Sequence, residues 1–79
     1  MKMENIARTP LQLANYIRER RRKLGLSQVQ LAAQTGVRQR TLSDIENAGA
    51  ARLDTILRIL AVLDLEFVVR DRKKSSAND

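Results

Sequence analysis

Apolar residues recur at helical spacing over most of this chain, and three glycines interrupt the pattern. Leu13, Ile17 and Leu24 fall on one face of a helix, and Gly25 follows them directly. A glycine can take the positive φ that ends a helix, because it has no Cβ to clash with the backbone. The spacing therefore predicts a first helix over residues 10–24.

Residues 26–49 predict two short helices separated by a tight turn. Ser27 and Gln30 have the spacing of a capping box, so a second helix should start at Gln28 and end at Gly36. A third helix should begin near residue 38 or 39. Its inward positions are Val37, Leu42 and Ile45. Two helices joined in this way form a helix-turn-helix, and that motif makes DNA binding the favoured function.

The apolar residues after Gly49 are too numerous for a helix that buries only one stripe. One set has spacing suited to the domain core and consists of Leu53, Leu57 and Leu60. The remaining set would be exposed in a monomer and consists of Ile56, Ile59 and Leu63. An exposed apolar patch of this kind predicts a twofold dimer. The alternative is that Ile6 and the N-terminal arm cover this face.

The pattern changes to alternation after residue 63. Leu65, Phe67 and Val69 occupy every second position, which predicts a β-strand. A lone strand leaves its backbone groups unpaired, so its simplest partner is the same segment of a second subunit in an antiparallel ribbon. These three residues would then join the exposed set of the fourth helix at the dimer interface.

The patterns together predict a mainly α bundle of four to five short helices, with one C-terminal β-strand that pairs across a homodimer. The expected divisions are a flexible arm at 1–8, a helix-turn-helix domain at 9–63, a dimerisation strand at 64–70 and a disordered tail at 71–79. A chain of 79 residues buries only about 60% of its unfolded surface, so dimerisation would support a modest core.

Composition narrows the function classes. The 15 Lys and Arg residues exceed the 9 Asp and Glu residues, and the net charge of +6 favours a polyanionic partner, although solubility alone could explain it. Cys and His are both absent, so neither a cofactor nor an enzymatic activity is expected. No apolar run approaches the roughly 20 residues that span a bilayer, so we expect a cytoplasmic protein. A solvated basic rim on the first helix is assigned to Arg18, Arg20, Arg22 and Lys23, and the alternative is that one or two of them contact phosphate.

The outward side of the third helix suits the major groove of a DNA duplex. Its candidates for reading bases are Arg38, Gln39, Arg40 and Ser43. The candidates for phosphate contact lie near helix starts, where amides and the helix dipole attract anions, and are Ser27, Gln28 and Thr41. Glutamine and arginine can bond adenine and guanine through two hydrogen bonds each. We expect Asp44 to orient Arg40. The alternative is a solvated polar face without a ligand.

The segments SQVQLAAQTGV and RQRTLSDIENAG resemble the helix-turn-helix of the lambda repressor and Cro type, known as the XRE family. The resemblance covers residues 13–63. The family usually opens its recognition helix with Ser or Thr, whereas this chain has Arg38, which is a poor cap. The resemblance implies that Arg21 pairs with Glu46 and ties the first helix to the third.

The opening TPLQLANYIRERRRKLGLSQ, and the single strand followed by a short polar tail, are similar to the HipB antitoxins. That resemblance implies a bacterial operon autorepressor whose partner is a HipA-type serine/threonine kinase toxin. A dimer would place two recognition helices in major grooves about 34 Å apart on an inverted-repeat operator. The alternatives are a stand-alone XRE-family regulator without a toxin, and an interaction module whose basic surface binds an acidic protein or RNA.

Overall fold

The computed structural model describes residues 4–72 and contains four α-helices in that range. They are α1 (Pro10–Lys23), α2 (Gln28–Thr35), α3 (Gln39–Ala48) and α4 (Leu53–Val62). The predicted mainly α bundle of four to five helices is confirmed. Residues 1–3 of the expected arm and residues 73–79 of the expected tail lie outside the described residues. No helix among those described is long and apolar enough to cross a membrane.

Side-chain caps fix the starts of the first two helices. The Thr9 hydroxyl accepts a hydrogen bond from the Gln12 amide (3.1 Å), and Pro10 occupies the first turn. Ser27 and Gln30 form the predicted capping box through two reciprocal bonds of 3.0 and 2.8 Å. Each cap satisfies backbone amides that a helix start leaves without a partner. The start of α2 is therefore set by local sequence alone.

The helices enclose one apolar core. α3 packs against α1 and α2, and α4 packs against α2. The core is formed by Ile17, Leu31, Ala32, Leu42, Ile45, Ile56, Ile59, Leu60 and Leu63. Because α3 contributes only its inner side to this core, its other side is free to face solvent.

The predicted orientation of α4 is wrong except at Leu60, which is buried in the core as expected. Ile56, Ile59 and Leu63 are buried within the protomer, whereas Leu53 and Leu57 are 58% and 42% exposed. Two overlapping stripes on this helix both have helical spacing, so packing against the other helices decides which one is buried. These three residues therefore do not form the exposed apolar patch from which the dimer interface on α4 was predicted. The N-terminal arm is not what covers them, since Ile6 is 46% exposed and lies outside the core.

The predicted strand is absent from the single chain, because residues 65–72 carry no regular secondary structure. Leu65 packs against the core and donates its amide to the Leu60 carbonyl (2.8 Å), while Phe67 and Val69 are exposed. A β-ladder needs a second strand, and beyond the Leu65 contact residues 66–72 form no backbone hydrogen bond with another segment between residues 4 and 72. Pairing with a second subunit stays a prediction.

Candidate nucleic-acid interface

α3 has one buried side and one side open to solvent. Leu42, Ile45 and Glu46 are fully buried on the inner side. The outer side presents the exposed residues Gln39, Arg40, Asp44 and Asn47, with half-buried Ser43 between them. Residues three, four and seven positions apart share a helix face, so these side chains form one continuous polar surface.

The turn between α2 and α3 is held by Thr35 and Gly36. The buried Thr35 hydroxyl donates to carbonyls of the preceding turn, with oxygens of Leu31 and Ala32 at 2.9 and 3.1 Å, and accepts from the Val37 amide (3.3 Å). Gly36 has a φ of +73°, which only glycine adopts without strain. These contacts fix the direction in which α3 leaves α2.

A buried ion pair ties α3 to α1. The guanidinium of Arg21 donates two parallel hydrogen bonds to the Glu46 carboxylate, from Nε to Oε2 (2.7 Å) and from Nη2 to Oε1 (3.0 Å). Its third bond goes from Nη1 to the Leu26 carbonyl (2.8 Å), just before α2. The Arg21–Glu46 pair that the family resemblance implies is therefore present. Arg21 also binds the loop between α1 and α2 through Leu26.

Gln28 extends this network to the first turn of α2. Its side-chain amide donates from Nε2 to Glu46 Oε1 (3.1 Å). Every buried side-chain N or O atom between residues 4 and 72 has a hydrogen-bond partner. One carboxylate therefore joins the start of α2, which carries predicted phosphate contacts, to the last turn of α3, the helix that carries the predicted base contacts.

Two phosphate candidates have groups that remain available to a ligand. The Ser27 hydroxyl accepts a hydrogen bond as a cap, and its own hydrogen is still free to be donated to an anion. Thr41 is exposed in the first turn of α3. In Gln28, one side-chain hydrogen is engaged by Glu46, so a phosphate would be met by its second amide hydrogen or by its backbone amide.

The charged groups near α3 favour an anionic ligand. Arg38 and Arg40 are exposed and form no ion pair within the described part of the chain. The Glu46 charge is neutralised by Arg21, which leaves Asp44 as the exposed acid of this helix. The expected Asp44–Arg40 contact is not present in the free chain. Arg38 forms no side-chain cap at the start of α3, so its guanidinium is free to reach outward.

Sequence reasoning missed two residues of this region. Asn47 lies on the outer side of α3, seven positions after Arg40, and that spacing is the signal that would have found it. Thr35 is the other residue, since it is 4% exposed and makes three hydrogen bonds at the turn. A threonine directly before the turn glycine is a weak signal, because its hydroxyl is buried only by the packing of α3.

Comparison with known proteins places these features in a family. A helix-turn-helix family model matches residues 17–69, which is more than half of the chain. Antitoxin HipB of Escherichia coli strain K12 is 36% identical over 69 residues, covering 86% of this chain and 78% of HipB. HipB of Escherichia coli O6:H1, strain CFT073, is also 36% identical over 69 residues, covering 86% and 73%.

Solved structures of HipB show the same fold. A complex of a HipB variant with an O2 20mer matches with a TM-score of 0.79 and 34% identity, covering 91% of this chain and 100% of the other. A HipA–HipB–O2–O3 complex matches with a TM-score of 0.79 and 35% identity, covering 90% and 100%. A complex of HipB with an O4 20mer has a TM-score of 0.78 and the same coverage and identity as the second structure.

Proposed function

Because this chain belongs to the helix-turn-helix family of the HipB antitoxins, we propose that it represses its own operon by binding an inverted-repeat operator as a homodimer. It is a DNA-binding protein of the HipB type. The observation that carries the proposal is the outer side of α3, whose polar and cationic side chains are held in place by the buried Arg21–Glu46 pair. A solvated face without a ligand would not require such a rigid support.

In this proposal, each side chain near α3 has a defined task. Bases are read by Gln39, Arg40 and Ser43, with Arg38 at either a base or a phosphate and Asn47 at the far end of the same surface. Phosphates are met by Ser27, Gln28 and Thr41. The network around Glu46 holds these two groups at a constant separation, so the phosphate contacts set the register in which α3 enters the major groove.

Dimer formation is assigned to residues 64–70. Phe67 and Val69 of the alternating apolar set are exposed, and residues 66–72 make no backbone hydrogen bond within the described chain. Both features fit an antiparallel ribbon between two copies. Phe67 and Val69 supply exposed apolar surface to this ribbon. The buried residues of α4 belong to the core of each protomer and do not contact the second subunit in this proposal.

The second partner in the proposal is a HipA-type serine/threonine kinase toxin. It is supported by the likeness of this chain to the HipB of a HipA–HipB–O2–O3 complex. Affinity purification of the tagged chain from its native host tests it, since a co-purifying protein with kinase activity is expected. Recovery of the chain with operator DNA but without such a kinase would leave a stand-alone regulator of the same family.

DNA recognition is tested by measuring fluorescence anisotropy with the duplex upstream of the chain's own gene and with a scrambled duplex. We expect a preference of about 10³ or more for the first duplex, and affinity that falls steeply as salt rises. The Arg40→Ala variant should lose about 1–3 kcal/mol of that preference, because a bidentate contact to guanine is removed.

Arg58→Ala is the charge-matched control, because Arg58 is an exposed residue of α4 and is not among the residues assigned to DNA contact. It should leave the preference unchanged. An equal loss of affinity for both duplexes in Arg40→Ala would assign Arg40 to a phosphate instead. Equal binding of the two duplexes by the wild-type chain would refute sequence-specific repression.

A further inference from the structure

Arg20 fastens the end of α4 to α1. Its guanidinium donates from Nε to the Leu63 carbonyl (2.9 Å) and from Nη2 to the Asp64 carbonyl (3.5 Å). The Asp64 carboxylate lies 3.9 Å from Nη2 but is 97% exposed, so the two carbonyl contacts dominate. A helix leaves its last carbonyls without partners, and a cation placed there also interacts favourably with the helix dipole. Assigning Arg20 to a solvated rim was therefore wrong.

The chain leaves the helical domain at residues 63–65, next to the carbonyls that Arg20 binds. Leu63 is fully buried, and Asp64 has a φ of +59°, the only positive φ at a non-glycine residue between residues 4 and 72. Leu65 then returns its amide to the Leu60 carbonyl (2.8 Å). Asp64 is held in this conformation from both sides, by Arg20 on its carbonyl and by the Leu65 contact after it. The direction of residues 65–72 is set at this turn.

We propose that Arg20 is a positioning residue for the dimer: it fixes the direction in which residues 65–72 leave α4. This inference rests on the proposed homodimer, in which that segment pairs with its copy. Without Arg20, Asp64 is free to leave its unfavourable φ, and the segment samples several directions of exit. The dimer then forms more weakly and holds its two recognition helices at a less defined separation.

Dimer strength is the first measurement. Sedimentation equilibrium should give Arg20→Ala a dimer dissociation constant at least tenfold above that of the wild-type chain, with Arg20→Lys between them because lysine keeps one donor. Arg22→Ala removes the same charge from an exposed neighbour and should match the wild-type chain within twofold. Gly36→Ala, a change in the α2–α3 turn, is the control for stability. Its dimer dissociation constant shows how far a general loss of folding stability weakens the dimer.

Operator spacing is the second measurement, and loss of stability alone does not change it. The duplex upstream of the gene is used with its half-sites at their natural separation and moved apart by one or two base pairs. The wild-type chain should bind the natural spacing best, whereas Arg20→Ala should bind all spacings within about threefold of one another, with unchanged affinity for an isolated half-site.

Two results would overturn the inference. Equal losses on the full operator and on the half-site would place Arg20 at a phosphate, and a dimer constant matching that of the wild-type chain would leave it a helix cap only. Failure of the proposed function looks different, since the wild-type chain itself would then show neither a dimer nor a spacing preference.

Discussion

Glu46→Ala is expected to lower the free energy of unfolding by about 3–5 kcal/mol, the usual cost of removing one partner of a buried ion pair. Glu46 is 1% exposed and accepts three hydrogen bonds, two from Arg21 and one from Gln28. Its loss leaves the 8% exposed Arg21 as an uncompensated charge. Urea unfolding followed by far-UV circular dichroism measures the change. Small domains have only about 5–15 kcal/mol in total, so this loss is a large share of the stability of the chain.

Asp44→Ala is the matched control, because it removes an exposed carboxylate from the same helix two residues earlier. It should change stability by less than about 0.5 kcal/mol. The double variant Arg21→Met, Glu46→Leu should recover much of the loss, since an apolar pair leaves no buried charge. A loss below about 1 kcal/mol in Glu46→Ala would show that water reaches the pair and that α3 is held by its apolar contacts alone.

Gly49→Ala is expected to cost about 2–5 kcal/mol, and the cause is a single close approach of two backbones. Gly49 ends α3 with a φ of +73°, where an alanine is strained by about 1–2 kcal/mol. A Cβ at this position would also overlap the Pro10 carbonyl oxygen and lie 3.0 Å from the Pro10 Cα. Neither backbone can rotate away as a side chain would, so overpacking adds about 1–3 kcal/mol.

Gly36→Ala separates these two causes. Gly36 has the same φ of +73°, but a Cβ there would meet nothing within 4 Å. It should therefore lose only the conformational part, about 1–2 kcal/mol. The difference between the two variants in thermal or urea unfolding measures the overlap with Pro10. Equal losses would mean that the start of α1 moves aside, and that the α1–α3 contact is softer than the structure indicates.

Both predictions concern the C-terminal end of α3, and both affect DNA binding through the orientation of this helix. Glu46 holds the last turn of the helix to α1 and to the start of α2, while Gly49 lets the C-terminal end lie against the start of α1. A shift of α3 would move Gln39, Arg40 and Ser43 together with it. Weaker DNA binding in either variant should therefore parallel its loss of stability, whereas Arg40→Ala should lose specificity with the fold intact.

Local sequence determined much of this protein. The start of α2 follows from the Ser27–Gln30 capping box, and the ends of α2 and α3 follow from glycines that take a positive φ. The outer side of α3 could also be predicted, because helical spacing alone separates Gln39, Arg40 and Ser43 from the buried Leu42 and Ile45. In each case the deciding interaction joins residues within a few positions of one another.

Tertiary structure decided what local spacing left open. Both apolar stripes of α4 satisfy the helical period, and only packing against the other helices selected Ile56, Ile59 and Leu63 for the core. The alternation after residue 63 describes a strand, yet a strand exists only where a second one pairs with it. In the sequence, Arg20 is one of several basic residues in the run RERRRK. It links α1 to the end of α4 because folding brings the Leu63 carbonyl, 43 positions away, within hydrogen-bond distance. Contacts across such separations depend on how the helices assemble, which no local pattern records.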